Sequence, residues 1–287
     1  MSLRINTNVS ALNAYQNLSK NQNDLSSSIE KLSSGLRINK AADDAAGLSI
    51  SQGLTSQING LTQAVSNAQD GINVSQIADG ALGTTQQILQ RMRTLVVQAS
   101  NSGTQDADSL NAIGAEITSL NSQLDNIGSQ TKFGQTNLLD GNYSGTFQVG
   151  ANNGDTVTLD LSTSLSGGIS ASGLGLSGMS IASTGFSGTG TSIYSGTSAD
   201  LAAIDAAIKS VSSARSGIGA TQNQLNYTVA NLQTAITNVT ASRSNLTDAD
   251  LATEVSKMTQ SQILSQAATS VLAQANSAPQ SILKLLQ

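Results

Sequence analysis

Apolar side chains recur every three or four residues in the first and last thirds of this chain, and the spacing is lost in the middle. This spacing places one residue per turn on a single face of a helix. The predicted seam comprises Val9, Leu12, Leu18, Leu25, Ile29, Leu32 and Leu36 near the N-terminus and Leu264, Val271, Ile282 and Leu285 near the C-terminus. The two ends of the chain are therefore predicted to be amphipathic helices.

Three further helical segments lie between these ends. A helix over about 44–100 would measure ~85 Å at 1.5 Å per residue, which is long for a globular helix and typical of a coiled-coil rod. Periodic apolar residues predict two more helices, over about 110–127 and 201–239. A break is expected at 35–39, and Asp43 or Asp44 is expected to cap the helix that follows.

The middle of the chain has a different composition. Residues 141–198 hold 13 of the 26 glycines and are rich in Ser and Thr. Residues 146–149 and 156–159 alternate with period two on either side of an Asn-Asn-Gly-Asp sequence, which predicts a β-hairpin. The remainder is interpreted as loops and short strands. The expected fold is mainly α, with long coiled-coil-like helical arms from both termini and a small β-hairpin and loop insert.

The terminal helices are too thin to be stable alone. The apolar side chains of the first 40 residues supply less burial free energy than ordering that backbone costs. The N-terminal helix therefore needs a partner, for which the C-terminal helix is the obvious candidate. Both are predicted to be mobile in the monomer and to order on polymerisation. The same spacing is also typical of one face of an ordinary globular core.

Composition excludes most catalytic chemistry. The chain has no His, no Cys and no Trp, so it offers no imidazole base, thiol nucleophile or nitrogen–sulfur metal site. No enzyme activity and no cofactor are predicted. A net charge of −5, with 11% charged residues, argues against nucleic acid as a partner. No apolar run is long enough for membrane insertion, and the N-terminus lacks the apolar core of a cleaved signal peptide.

Several segments resemble one bacterial family. These are INTNVSALNA at 5–14, SSGLRINKAADDAAGLSIS at 33–51 and SVLAQANSAPQSILKLL at 270–286. NLQTAITNVTASRSNLTDAD at 231–250 and FGQTNLLDG at 133–141 fit the same pattern. Together they closely resemble bacterial flagellin, and the resemblance covers roughly residues 1–160 and 200–287.

The resemblance implies a structural subunit that polymerises into the helical filament of the bacterial flagellum and serves swimming. It implies an inner layer of residues 1–43 with 248–287, a surrounding rod of 44–140 with 199–247, and an outward-facing variable insert at 141–198. It also implies an extracellular filament whose subunits are exported through the flagellar secretion channel without a cleaved signal peptide. Partners implied are other copies of the chain, an export chaperone, and the hook-junction and cap proteins.

One segment is similar to the flagellin patch that a vertebrate Toll-like receptor recognises. Arg91 and Leu95 match this patch, and Glu116 matches the acidic residue of the facing helix. Thr94 departs from it, because well-recognised relatives carry an acidic residue there. The alternative is that these residues pack between subunits and that receptor binding is incidental.

Other interpretations remain open at this point. A hook–filament junction protein shares the terminal helices, although it normally lacks the C-terminal ending found here. A chemoreceptor-like signalling coiled coil also has long helices rich in Ala, Gln and Ser, but carries no Gly-rich insert. The Ser- and Thr-rich stretch at 162–198 is either a glycan carrier or a solvated loop.

Overall fold

The structure is a computed structural model that describes residues 8–101, 105–176 and 197–285, the last without the side chains of 197, 198 and 278–285. The elements are α1 (Val9–Ser34), α2 (Ala45–Ala99), α3 (Ala107–Gln130), β1 (Lys132–Phe133), β2 (Thr136–Asn137), β3 (Ser144–Gln148), β4 (Thr156–Asp160), α4 (Thr197–Thr247) and α5 (Leu251–Leu285). The prediction of a mainly helical fold with helical arms and a small β insert is confirmed.

Short polar side chains begin the helices. Asn8 Oδ1 accepts the Ala11 N–H at 3.0 Å and so caps α1. Asp106 Oδ1 accepts the Ser109 N–H at 2.7 Å at the start of α3. Asp44 Oδ1 accepts the Gly47 N–H at 2.9 Å, so Asp44 caps α2.

The predicted break after α1 is also confirmed. The helix ends at Gly35, whose φ of +71° is a left-handed conformation that glycine adopts without steric penalty. Asp43, the other candidate cap, instead accepts the backbone N–H groups of Asn39 and Lys40, each at 3.0 Å. It therefore stabilises the turn that precedes α2.

The chain divides into two compact units. The first comprises Met1–Ile58 and Thr237–Gln287, and within it α1 packs against α5. The segments that join α1 to α2 and α4 to α5 pair with each other beside this helix pair. Leu36 and Asp248 form an antiparallel bridge there.

The second unit, Asn59–Ile236, holds the main apolar core. Side chains from α2, α3 and α4 meet there with leucines from the insert. Its large, fully buried members include Leu82, Leu89, Met92, Ile117, Leu124, Leu159 and Ile169. The periodic apolar residues of the three helices therefore form an ordinary close-packed interior in this unit.

The predicted β-hairpin is confirmed. β3 pairs antiparallel with β4 from Ser144↔Asp160 to Gln148↔Thr156. Along β4, Val157 and Leu159 are buried and the alternate residues are exposed, as period-two patterning requires. A second, two-residue hairpin of β1 and β2 turns at Gly134, and the sequence analysis did not separate it from the helical rod.

Residues 161–176 contain no strand, so the expectation of short strands is wrong for this part of the insert. Leu161, Leu165, Ile169 and Leu176 are buried in the main core instead. Irregular backbone is possible there because hydrogen bonds satisfy it, both within turns, as from Gly168 N–H to Leu165 O at 2.8 Å, and to the preceding loop, as from Ile169 N–H to Leu139 O at 2.8 Å.

Some expectations fall outside the described residues. These are the part of the Ser- and Thr-rich stretch from 177 to 196 and the side chains of Ile282 and Leu285 in the predicted seam. Among the helices of the described ranges, none is long and apolar enough to cross a membrane.

Candidate assembly surface

The contact between α1 and α5 is made mainly by small and polar side chains. Among the described residues of these two helices, only Ala14, Ser28 and Glu254 are buried. Partly buried positions continue from them at alternating spacings of three and four, typical of a coiled-coil seam. They are Ala11, Leu18, Asn21, Leu25 and Leu32 on α1 and Met258, Ser261, Ser265, Ala268, Leu272 and Ala275 on α5.

Polar contacts connect the two helices near both ends of the seam. Ser28 Oγ of α1 donates a 2.9 Å hydrogen bond to Glu254 Oε1 of α5. Within α5, Lys257 Nζ lies 3.3 Å from Glu254 Oε2. About twenty residues earlier on α1, Asn8 Nδ2 donates to Ala275 O at 2.8 Å. Both interhelical contacts fit one continuous antiparallel register. They therefore mark a single alignment of α1 against α5.

Among the described residues of this seam, Glu254 carries the one buried carboxylate. Burial raises its pKa, but the hydrogen bonds from Ser28 and Lys257 and the nearby charges of Lys257 and Lys31 outweigh burial and lower it. The group is therefore ionised at neutral pH, with its charge compensated by these donors.

The residues of the predicted seam separate into two sets. Leu18, Leu25, Leu32 and Leu36 are half-buried. Five others are 44–58% exposed, namely Val9, Leu12, Ile29, Leu264 and Val271. Ile282 and Leu285 belong to α5, but their side chains lie outside the described part of the chain.

Large apolar side chains beyond the predicted seam are also exposed on this helix pair. We call the whole set the outer apolar strip. It consists of Val9, Leu12, Tyr15 and Ile29 on α1 and Leu251, Val255, Ile263, Leu264 and Val271 on α5. Large apolar side chains left exposed together on one helix pair are characteristic of a protein–protein contact. The predicted seam did not include Leu251, Val255 and Ile263, although these apolar residues lie near or on a helix that the sequence predicted.

The structure brings together two of the three residues of the candidate receptor patch. Arg91 Nε lies 2.7 Å from Glu116 Oε1, and both side chains are about half exposed. The hydrogen bond and the charge of Glu116 raise the pKa of Arg91. Leu95 is only 2% exposed and belongs to the core, so it does not share this surface.

Two other ion pairs connect α2 with α4 in the second unit. Arg93 Nε lies 2.8 Å from Asp205 Oδ1. Arg215 contacts both carboxylate oxygens of Asp79 at 2.8 and 3.4 Å, and Gln86 Oε1 at 2.8 Å. No sequence pattern pointed to these pairs, because their members are more than 100 residues apart.

The described residues contain no group of three or more acidic side chains placed to hold a metal ion. What the first unit presents instead is a helix pair with exposed large apolar side chains.

Two family models match the chain. The model of the bacterial flagellin N-terminal helical region matches residues 5–144, and that of the bacterial flagellin C-terminal helical region matches residues 201–286. Together they cover the helical regions on both sides of the insert and leave out most of the insert itself.

Curated relatives match over nearly the whole chain. The flagellin of Bacillus subtilis (strain 168) is 43% identical, with 99% of this chain and all of the relative covered. That of Halalkalibacterium halodurans is 40% identical, with 99% of each covered. Among solved structures, Bacillus cereus flagellin matches 58% of this chain and 88% of its own, at 25% identity and a TM-score of 0.48. The family models and the relatives show that this chain belongs to the bacterial flagellins, the structural subunits of the flagellar filament.

Proposed function

We propose that this flagellin polymerises through the outer apolar strip of its α1–α5 pair, and that the resulting filament serves swimming motility. The observation that carries the proposal is the strip itself. It places nine large apolar side chains on the outside of a helix pair in which only three of the described residues are buried. Contact with further copies of the chain would remove this surface from water, at about 25 cal/mol per Å² of apolar area.

The low charge of the chain supports close packing between copies. Only 11% of residues are charged, and Ala, Ser, Gln and Asn make up much of the remaining helix surface. Such side chains permit neighbouring helices to approach, whereas dense Lys and Glu would repel them. In the proposed arrangement, residues 1–43 with 248–287 form an inner layer and 44–140 with 199–247 surround it, while 141–198 face outward.

The terminal helices are proposed to order on assembly. Their mutual seam is too small to hold them firmly, because its buried members on α1 are Ala14 and Ser28. Local opening should therefore need little free energy in the monomer. Amide exchange on soluble subunits is expected to be fast in α1 and slow in α2 near Leu89. Strong protection of α1 in the monomer would contradict ordering on assembly.

Contacts outside the filament form a further part of the proposal. An export chaperone, the hook-junction proteins and the cap protein are proposed partners, with export through the flagellar channel without a cleaved signal peptide. A vertebrate Toll-like receptor is proposed to contact Arg91 and Glu116, whereas buried Leu95 would act only by supporting their helices. Arg91→Ala should lower receptor signalling by purified monomer. Unchanged signalling would remove this patch from the proposal.

Seeded polymerisation tests the main proposal. Leu12→Ser and Val271→Ser are expected to slow or abolish filament growth, because each places a polar group in the interface. Phe133→Ser provides a matched control, since Phe133 is an exposed large apolar residue outside α1 and α5. Negative-stain microscopy would report filaments, and thermal unfolding would show that the monomers remain folded.

Two outcomes would contradict the proposal. Normal filaments from both strip variants would show that the strip is not the contact. Short discs or capped stubs from the wild-type chain would favour a hook–filament junction protein.

A further inference from the structure

The chain contains two Asn-Gly dipeptides, Asn59-Gly60 and Asn153-Gly154. The structure places them in opposite environments. Asn59 and Gly60 lie inside α2, whereas Asn153 and Gly154 lie between β3 and β4 at the tip of the hairpin. The same dipeptide sequence therefore occurs in two different backbone environments within one molecule.

Asn-Gly dipeptides can rearrange without an enzyme. The backbone nitrogen of glycine attacks the side-chain Cγ of asparagine, and a new C–N bond closes a five-membered succinimide. The amide nitrogen leaves as ammonia, carrying the proton that the glycine nitrogen gave up. Water then opens the ring at either carbonyl, which produces aspartate or isoaspartate. Glycine favours the attack because it has no Cβ to hinder it.

The hairpin tip leaves both reacting groups free. Residues 151–156 are exposed. The Gly154 N–H donates no hydrogen bond to any described residue, and neither does the Asn153 side chain, while the neighbouring Val149 N–H and Thr156 N–H are both bonded. Gly154 has φ +94°, and nothing lies within 4 Å of the position that a Cβ would occupy. Ring closure at this position thus breaks no hydrogen bond that these groups make with the described residues.

The helical dipeptide is constrained in both respects. Within α2 the Gly60 N–H is part of the helical hydrogen-bond ladder, so the attack requires local opening of a helix of 55 residues. Gly60 also packs closely, because a Cβ there would lie 3.1 Å from the Ala151 Cβ. Asn59 should persist while Asn153 reacts.

We infer that Asn153 is a site of spontaneous deamidation, with aspartate and isoaspartate as its products. Each event adds one negative charge to a chain whose net charge is −5 and places it two residues before Asp155 in the sequence. Isoaspartate also lengthens the backbone within the turn by one methylene.

The tip contacts α2 close by, through Asn67 Nδ2 to Gln148 O at 3.0 Å and through Ala151 against Gly60. The modified residue therefore lies two positions from Ala151, which contacts this helix.

The test is incubation of the full-length protein in mildly alkaline buffer, followed by proteolysis and mass spectrometry. Methyl transfer by an isoaspartate-specific methyltransferase identifies the isoaspartate product. We expect conversion at Asn153 to exceed conversion at Asn59 by at least about tenfold, since opening a packed helix should cost more than the factor of ten that ~1.4 kcal/mol represents. Asn153→Gln keeps the amide but requires a larger ring, and it should abolish the product at this position.

A denatured sample separates the effect of the fold from that of the local sequence. In concentrated urea the two sites should convert at similar rates. Equal conversion in the folded protein, or no product at Asn153 while a synthetic peptide of residues 150–157 converts, would overturn the inference. A difference that persisted unchanged in urea would also overturn it, because the local sequence would then be responsible.

Discussion

At the scale of single residues, the glycines of this chain differ in what lies where a side chain would begin. A Cβ on Gly128, near the end of α3, would lie 1.9 Å from the carbonyl oxygen of Ile169. A Cβ on Gly80, inside α2, would meet nothing within 4 Å. Gly128 therefore permits the insert to approach α3, whereas Gly80 only weakens its helix.

The same substitution should have opposite effects at these two positions. Gly128→Ala is expected to destabilise the protein by at least about 1–3 kcal/mol, because the segment carrying Ile169 must move. Gly80→Ala is expected to stabilise it by about 0.5–1 kcal/mol through better helix propensity. Urea unfolding followed by circular dichroism measures both. Two shifts of the same sign would mean that the close approach at Gly128 is not a constraint.

At the scale of elements, apolar spacing was sufficient to predict the helices and the β3–β4 hairpin. In the second unit the periodic residues form the core, so periodicity and burial coincide there. The α1–α5 seam could not be predicted in this way. Its inward positions include Ala14, Asn21, Ser28, Glu254 and Ser261, which a hydrophobic pattern does not distinguish from surface. Several of the apolar residues that dominated the pattern are exposed instead.

A seam of small residues favours any one register only weakly, so polar contacts should decide the alignment of α1 against α5. The observed register places Ala14 level with Ala268. Because the native chain has no cysteine, the pair Ala14→Cys and Ala268→Cys should form a disulfide under mild oxidation. Adding Ser28→Ala and Asn8→Ala should lower the yield of this disulfide. In a second variant with cysteines at positions 14 and 275, a pair displaced by one heptad, the same two changes should raise the disulfide yield.

Gel mobility under non-reducing conditions measures the two yields. Gln262→Ala, an exposed change on α5, serves as the control background. An unchanged ratio of the two disulfides in the Ser28 and Asn8 variant would show that apolar packing alone sets the register.

At the scale of the whole molecule, ionised carboxylates stabilise helix ends, turns and the seam together. Hydrogen bonds from nearby hydroxyl and backbone N–H groups lower the pKa of Asp106, Asp160 and Asp250. The pKa of Glu254 is also lowered, because its hydrogen bonds and the nearby lysine charges outweigh the effect of burial. Burial alone raises the pKa of Asp200, which acts in the opposite direction. More of these carboxyl groups have a lowered pKa than a raised one, so the folded state should lose stability in acid.

The expected pH dependence follows from that direction. A carboxylate with a lowered folded pKa stabilises the protein above its unfolded pKa of about 4, and this contribution is lost as pH falls through the folded pKa. In assembled filaments, where α1 and α5 are held together, Glu254→Gln should cost about 1–3 kcal/mol at neutral pH, because it removes a charged hydrogen-bond acceptor. It should also reduce the fall in thermal midpoint between about pH 5 and pH 3. A variant as acid-sensitive as the wild type would show that Glu254 does not contribute.

The pairing of the two interhelical segments has a mechanical consequence. Arg37 N–H donates to Thr247 O at 2.7 Å, and Ala249 N–H donates to Gly35 O at 2.9 Å. The break between α1 and α2 and the break between α4 and α5 thus lie side by side and are joined by backbone hydrogen bonds. Tension or torque applied to one segment is shared with the other, and neither can unwind alone. The places where the long helices are interrupted would therefore yield together under load, as one element.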